Sequence, residues 1–162
     1  YPHSVLSLQA VDPAVLLPAR VAERGAAVPF PIQVHYVKAE TLPLEDHSVD
    51  SVVSTWTLCS IVDPITALCE IRRVLKPTGC FFFLEHGRSD EKKIAVWQDR
   101  LNPLQRLLAG GCNLNRRIDQ LIMQAGLTMT KFERFRVDRL PRIVGEMYRG
   151  AAVSPTQSES RS

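Results

Sequence analysis

Several residues in this chain carry chemistry at places where strands end. Asp12 closes an apolar run and precedes Pro13. Its two carboxyl oxygens match a cis-diol and can accept hydrogen bonds from both ribose hydroxyls. A carboxylate followed by proline also starts a helix as its cap, and the two roles are compatible. His86 follows Glu85 after a second apolar run. An imidazole there can take a proton from an acceptor or orient it, or simply pack beneath a lid. Cys59 reads as a small apolar wall residue ahead of a nucleophile. Trp56 is either a pocket aromatic or a core one. Cys59, Cys69, Cys80 and Cys112 show no CxxC pair and no metal-ligand spacing. Reduced core thiols, no metal and a cytoplasmic setting are the expectation.

The elements that must position these groups follow from periodicity. Residues 4–11 read as a strand, and Asp12-Pro13 opens a helix that Gly25 stops. Residues 32–37 and 49–55 read as strands, separated by a polar loop over 38–48. Asp63-Pro64 repeats the helix start, with Ile65, Leu68, Ile71 and Leu75 at helical spacing. Lys76-Pro77-Thr78-Gly79 stops that helix and turns the chain. Residues 80–84 are continuously apolar, as a strand buried on both faces should be. Helical periodicity runs over 93–108 with a break near Pro103, and again over 115–125 with Asn115 as cap and Gly126 as stop. Strands are expected at 127–137 and 142–152.

This alternation predicts an α/β domain, a Rossmann-like and mostly parallel sheet with flanking helices, over residues 1–153. The serine-rich segment 154–162 is expected to be a disordered tail. In such sheets ligands bind beyond the carboxyl ends of the strands. Asp12, Lys38 to Glu40, Thr55 to Cys59 and Glu85 to Gly87 occupy those ends.

At 162 residues, 45% hydrophobic and 23% charged, the chain has the make-up of one globular domain. The net charge of +3 is small and dispersed, so no nucleic-acid partner is expected. No apolar run has the length of a transmembrane segment. The sequence opens Tyr-Pro-His-Ser, without initiator Met or signal peptide, which suggests a fragment or a processed chain. In nucleotide-binding α/β folds the ribose acid lies about 20 residues beyond the first glycine of the cofactor loop. No glycine precedes Asp12, and the eight glycines include no GxGxxG. The first strand and its glycine-rich loop are therefore expected upstream of Tyr1.

The run AETLPLEDHSVDSVVSTWTLCSIVDPITALCEIRRVLKPTGCFFFLEH, residues 39–86, resembles the central block of class I methyltransferases of the methyltransferase type 11 kind. Those show A-E-x-L-P, V-D-x-V-V and E-I-x-R-V-L-K-P-x-G in this order. TLCSI, LEHG, WQDRLNPL and GGCNLNR are similar to a narrower group that contains the animal thiol S-methyltransferases. The resemblance implies methyl transfer from S-adenosylmethionine to a small, apolar acceptor such as a thiol. It makes Asp12 the ribose acid and sets Lys38, Ala39 and Glu40 along the adenine. A lysine at position 38 departs from the pattern, since it cannot accept a hydrogen bond from the adenine amino group. Thr55 and Trp56 match positions whose backbone faces the methionine part. His86 is the candidate catalytic residue, and Cys59, Trp97 and Asn115 are candidate acceptor contacts. Trp97, Leu101, Leu104, Leu107 and Leu108 give the apolar face of a lid, or else cover the sheet.

Two other readings compete. A nicotinamide-dependent dehydrogenase would share the strand, helix and ribose acid, but no Tyr-x-x-x-Lys pair is present. A non-catalytic fragment or pseudoenzyme would keep the fold without the cofactor cradle.

Overall fold

The computed structural model describes residues 4–14, 23, 25 and 28–155. The chain divides into two compact units, 1–43 and 44–162. In the first, β1 (Leu8–Val11) and β2 (Ile32–His35) form a parallel pair with Val11 opposite His35. Both strands are shorter than their apolar runs. The helix expected between them and the expected tail from 156 onward lie outside the described residues.

The second unit is a four-stranded sheet flanked by helices. Its elements are β3 (Val49–Thr55), α1 (Pro64–Val74), β4 (Leu75–His86), α2 (Lys92–Leu108), α3 (Ile118–Gln124), β5 (Thr128–Arg136) and β6 (Glu146–Val153). The strand order is β3-β4-β6-β5. β3 and β4 are parallel, while β6 runs antiparallel to both β4 and β5. The architecture is α/β, as the alternation predicts, with the two parallel pairs carrying the strand ends singled out above.

Local chemistry explains the boundaries. Asp63 caps α1, its carboxyl oxygens accepting from the amide and the hydroxyl of Thr66, with Pro64 in the first turn. Gly126, at φ 80°, takes the left-handed conformation that ends α3. The Lys76–Gly79 segment departs from expectation. It does not separate helix from strand but bulges within β4, where the pairing jumps from Val49–Leu75 to Ser51–Cys80.

The core is single-sided. Phe81, Phe83, Tyr148 and Ala152 on one sheet face meet Leu68 and Ile71 of α1 and Ile118 and Ile122 of α3. The opposite face keeps Val53 70% and Phe82 45% exposed, so β4 is not buried on both faces as its apolar run suggests. Helix α3 starts at Ile118, with Arg117 rather than Asn115 as its N-cap.

Helix α2 departs furthest from the hydrophobic pattern. It runs unbroken through Pro103, and the side it buries carries Ile94, Ala95, Gln98 and Asn102. Trp97, Leu104, Leu107 and Leu108 are more than half exposed. The buried amides explain the orientation. Gln98 Oε1 accepts the Ser89 amide, and its Nε2 donates to the carbonyls of Gly87 and Ile143. Asn102 Oδ1 accepts the Leu114 amide, and its Nδ2 donates to Asn113 Oδ1. Loop backbone that would otherwise be buried unsatisfied is bonded by this helix face.

Gln98→Leu makes that face more apolar yet should destabilise the protein by about 1–3 kcal/mol, because it strands an amide and two carbonyls. Urea denaturation measures this. A gain in stability would show that apolar burial, not backbone satisfaction, orients α2.

Candidate active site

β3 and β4 end in register, Thr55 opposite Leu84, and the Trp56 amide donates to the Leu84 carbonyl. The residues that follow each strand therefore emerge side by side. Trp56 adopts φ 52°, a conformation costly for a bulky L-residue and held only where neighbours impose it. The neighbour here is Glu85. Its side chain is fully buried and accepts from Ser54 Oγ at 2.7 Å, the Thr57 amide at 3.1 Å and the Cys59 amide at 3.2 Å. One carboxyl group thus folds the 56–59 turn onto the end of β4.

His86, half-buried at the last position of β4, stacks on exposed Trp56 with ring centroids 5.8 Å apart and planes 2° from parallel. A third segment joins them. Gly110 and Gly111, at φ 57° and 89°, turn the chain after α2 and deliver Cys112. Cys112 Sγ lies 3.5 Å from Cys59 Sγ and 3.5 Å from His86 Nδ1. Those three residues each offer a donor atom, and the three atoms all lie within 4.8 Å of one another, within reach of one ion.

Each thiol is held from behind. Asn113 donates its amide and side-chain Nδ2 to the Cys59 carbonyl, and Arg116 Nη1 donates to that of Leu58. The two thiols shift in opposite directions. Their mutual hydrogen bond lowers Cys112 to about 7, against burial. The same bond, and then burial, pushes Cys59 well above the ordinary thiol range.

Cys59 is buried, 1% exposed, and its neighbours are another thiol and an imidazole. Sequence spacing gives no sign of this, since Cys59 and Cys112 lie 53 positions apart. Only the position of each at the end of an element could have suggested it. Trp97 and Asn115 lie apart from this cluster in their bonding. Arg100 sits 5.5 Å over the Trp97 ring, and Asn115 Nδ2 donates to Asp99 Oδ1. Asp99 also receives both guanidinium nitrogens of Arg88. Leu101, Leu104, Gln105, Leu108, Leu114, Pro141, Ile143 and Val144 line a mainly apolar cavity of about 240 Å³. Trp97 is not among them.

In the first unit, Asp12 follows β1, and its amide donates to the His35 carbonyl at the end of β2. Its Oδ1 accepts the Ala14 amide at 2.7 Å, a local side-chain turn onto the backbone two residues on. The half-buried carboxyl group remains an acceptor at the carboxyl end of a parallel pair, the donor-matching group a sugar diol requires. The Thr41 amide donates to the Lys38 carbonyl, which makes 38–41 a turn with Ala39 and Glu40 at its centre. Backbone groups there suit an adenine edge better than the exposed Lys38 ammonium does. This donor set fits the nucleoside half of S-adenosylmethionine.

Fold and site together define a class I methyltransferase architecture. A Bacillus halodurans protein named as a methyltransferase superposes with a TM-score of 0.74, over 93% of this chain and 84% of that one, at 16% identity. The chain belongs to the methyltransferase domain family, whose model matches residues 3–83, half of its length. Rat thiol S-methyltransferase TMT1B is 38% identical over 91 residues, and human thiol S-methyltransferase TMT1A 38% over 89. These matches cover 56% and 54% of this chain but only 37% and 36% of those proteins. Among the described residues no helix is long and apolar enough to cross a membrane.

Glu85→Gln offers an N–H₂ group to donors that need acceptors. It should cost about 1–3 kcal/mol in urea denaturation and abolish the Trp56–His86 stacking contribution to near-ultraviolet dichroism. The Asp99 carboxyl is held down at about 2, chiefly by Arg88 and then by Asn115. Because the folded value lies below the unfolded one, the stabilisation is complete above about pH 4 and fades as pH falls through about 2. Carboxyl-carbon NMR should show Asp99 titrating last among the aspartates, and Asn115→Ala should move its midpoint up.

Proposed function

We propose that the chain serves methyl transfer from S-adenosylmethionine to a small, apolar acceptor such as a thiol. The observation that carries this reading is the half-buried Asp12 carboxyl group at the end of a parallel strand pair, in a chain of the methyltransferase family. The cofactor, when bound, supplies an electrophilic methyl group, so the protein's task is alignment and exclusion of water.

Asp12 is assigned the ribose hydroxyls, and the backbone of the Lys38–Thr41 turn, with Ala39 and Glu40, the adenine. Resemblance assigns the backbone of Thr55 and Trp56 to the amino-acid end. His86 is the group that orients an acceptor or takes its proton, supported by its place at the end of β4 and by the Trp56 ring that fixes its plane. A thiol with a reference pKa near about 8.5 needs little help to ionise. The apolar cavity beside α2 suits an alkyl acceptor. Cys59, Trp97 and Asn115 remain assigned to the acceptor side, Cys59 as wall and the other two along the outer face of α2.

A second reading is a fold that keeps its surface but not the cofactor cradle. Calorimetric titration with S-adenosylhomocysteine separates the two. Binding that Asp12→Ala weakens at least about tenfold, as loss of charge-assisted bonds requires, supports the methyltransferase reading. Undiminished binding by that variant refutes the ribose assignment, and no binding even by a chain extended upstream of Tyr1 supports the second reading. In a panel of small alkyl thiols, phenols and amines, methyl transfer to a phenol or amine with silence on every thiol would overturn the thiol preference.

A further inference from the structure

We propose that Cys59 Sγ, Cys112 Sγ and His86 Nδ1 form a binding site for a thiophilic divalent metal ion of the zinc class. The geometry is close to that of a loaded site. A tetrahedral zinc ion, with bonds of ~2.3 Å to sulfur and ~2.0–2.1 Å to nitrogen, sets its sulfur ligands ~3.8 Å apart and sulfur and nitrogen ~3.6 Å apart. The corresponding distances here are 3.5 Å between the sulfurs and 3.5 Å from Cys112 Sγ to His86 Nδ1. For these two separations movements of a few tenths of an ångström suffice, and the third, between Cys59 and His86, lies within 4.8 Å. By contrast the sulfurs are much further apart than the ~2.05 Å of a disulfide.

The ligands come from three separate segments, and each is fixed by bonds that do not involve the metal. Glu85 and Asn113 hold the Cys59 backbone from two sides. The Asn102 side chain bonds both Asn113 and the Leu114 amide just beyond Cys112. Trp56 fixes the imidazole plane. Such outer support is what orients ligands in metal sites. Softness of donors selects the ion, because two sulfurs and an imidazole favour zinc or cobalt over magnesium or calcium. Two thiolates neutralise the dication, and their protons pass to solvent on binding. Three protein ligands leave a fourth position for water or an exogenous thiol, the open pattern of reactive rather than structural zinc.

The test needs neither cofactor nor methyl acceptor, so its failure is distinct from failure of the methyltransferase reading. The reduced 162-residue protein is titrated with cobalt(II) and then with zinc(II). The expected result is one equivalent of cobalt with intense tetrahedral d–d bands and a thiolate charge-transfer band, both erased by zinc. Cys59→Ser, Cys112→Ser and His86→Ala should each lower zinc affinity by more than the roughly 10–100-fold that loss of an outer partner costs. Cys69→Ser, at an exposed position on α1, should leave binding unchanged. Circular dichroism identifies any variant that fails to fold, and the remaining ligand variants then decide. Octahedral spectra, no uptake by the reduced protein, or uptake that survives in folded Cys59→Ser and Cys112→Ser would overturn the proposal. So would a Cys59–Cys112 disulfide as the sole reaction of the pair.

Discussion

A carboxyl group removed from water must have its oxygens filled by donors, and Glu85 meets that demand with groups from the end of one neighbouring strand. Ser54 lies in β3, Thr57 and Cys59 just past it. Satisfying one side chain therefore fixes how the 56–59 turn leaves the sheet. It also stabilises Trp56 in its left-handed conformation, which sets the tryptophan ring against His86. Without an acceptor at this point, the two strand ends would share a register but not a site.

The turn after α2 is governed by the same logic with a different acceptor. Asn102 and Asn113 bond each other and the backbone on both sides of Cys112. Amides rather than ion pairs do this, which avoids desolvating a charge. Three other arginines gather elsewhere: Arg134, Arg136 and Arg142 pair with Asp90, Asp119, Glu91 and Glu146 near the start of α2 and along β5 and β6. Much of that rim is exposed, so it contributes little to stability. It fixes where α2 begins.

Strands and helices with strong local signals were legible in the sequence. β3 carries its pattern from end to end, and Asp63-Pro64 marks α1 because a capping carboxylate and a preset φ act within four residues. Gly126 likewise marks the end of α3. Reading failed where tertiary contacts outweighed local preference. The leucines of α2 point outward because Gln98 and Asn102 bond backbone that no apolar residue can satisfy. Pro103 lies inside α2 without ending it. The strand ends named in advance are where Trp56, Cys59 and His86 lie. Yet the meeting of Cys112 with Cys59 and His86 depends on a loop returning across the sheet, and no periodicity encodes it.

The strand order has a further consequence for how the molecule is made. β6 separates β4 from β5, and both of its edges are used. Until residue 153 has left the ribosome, β4 can close only against β3 and β5 has no partner within its own sheet. Vectorial synthesis thus leaves an apolar seam open beside Phe81 and Phe83 until β6 arrives to work as a keystone between strands made before it. A chain lacking residues 146–153 would carry unpaired strand edges on β4 and β5, an invitation to intermolecular pairing.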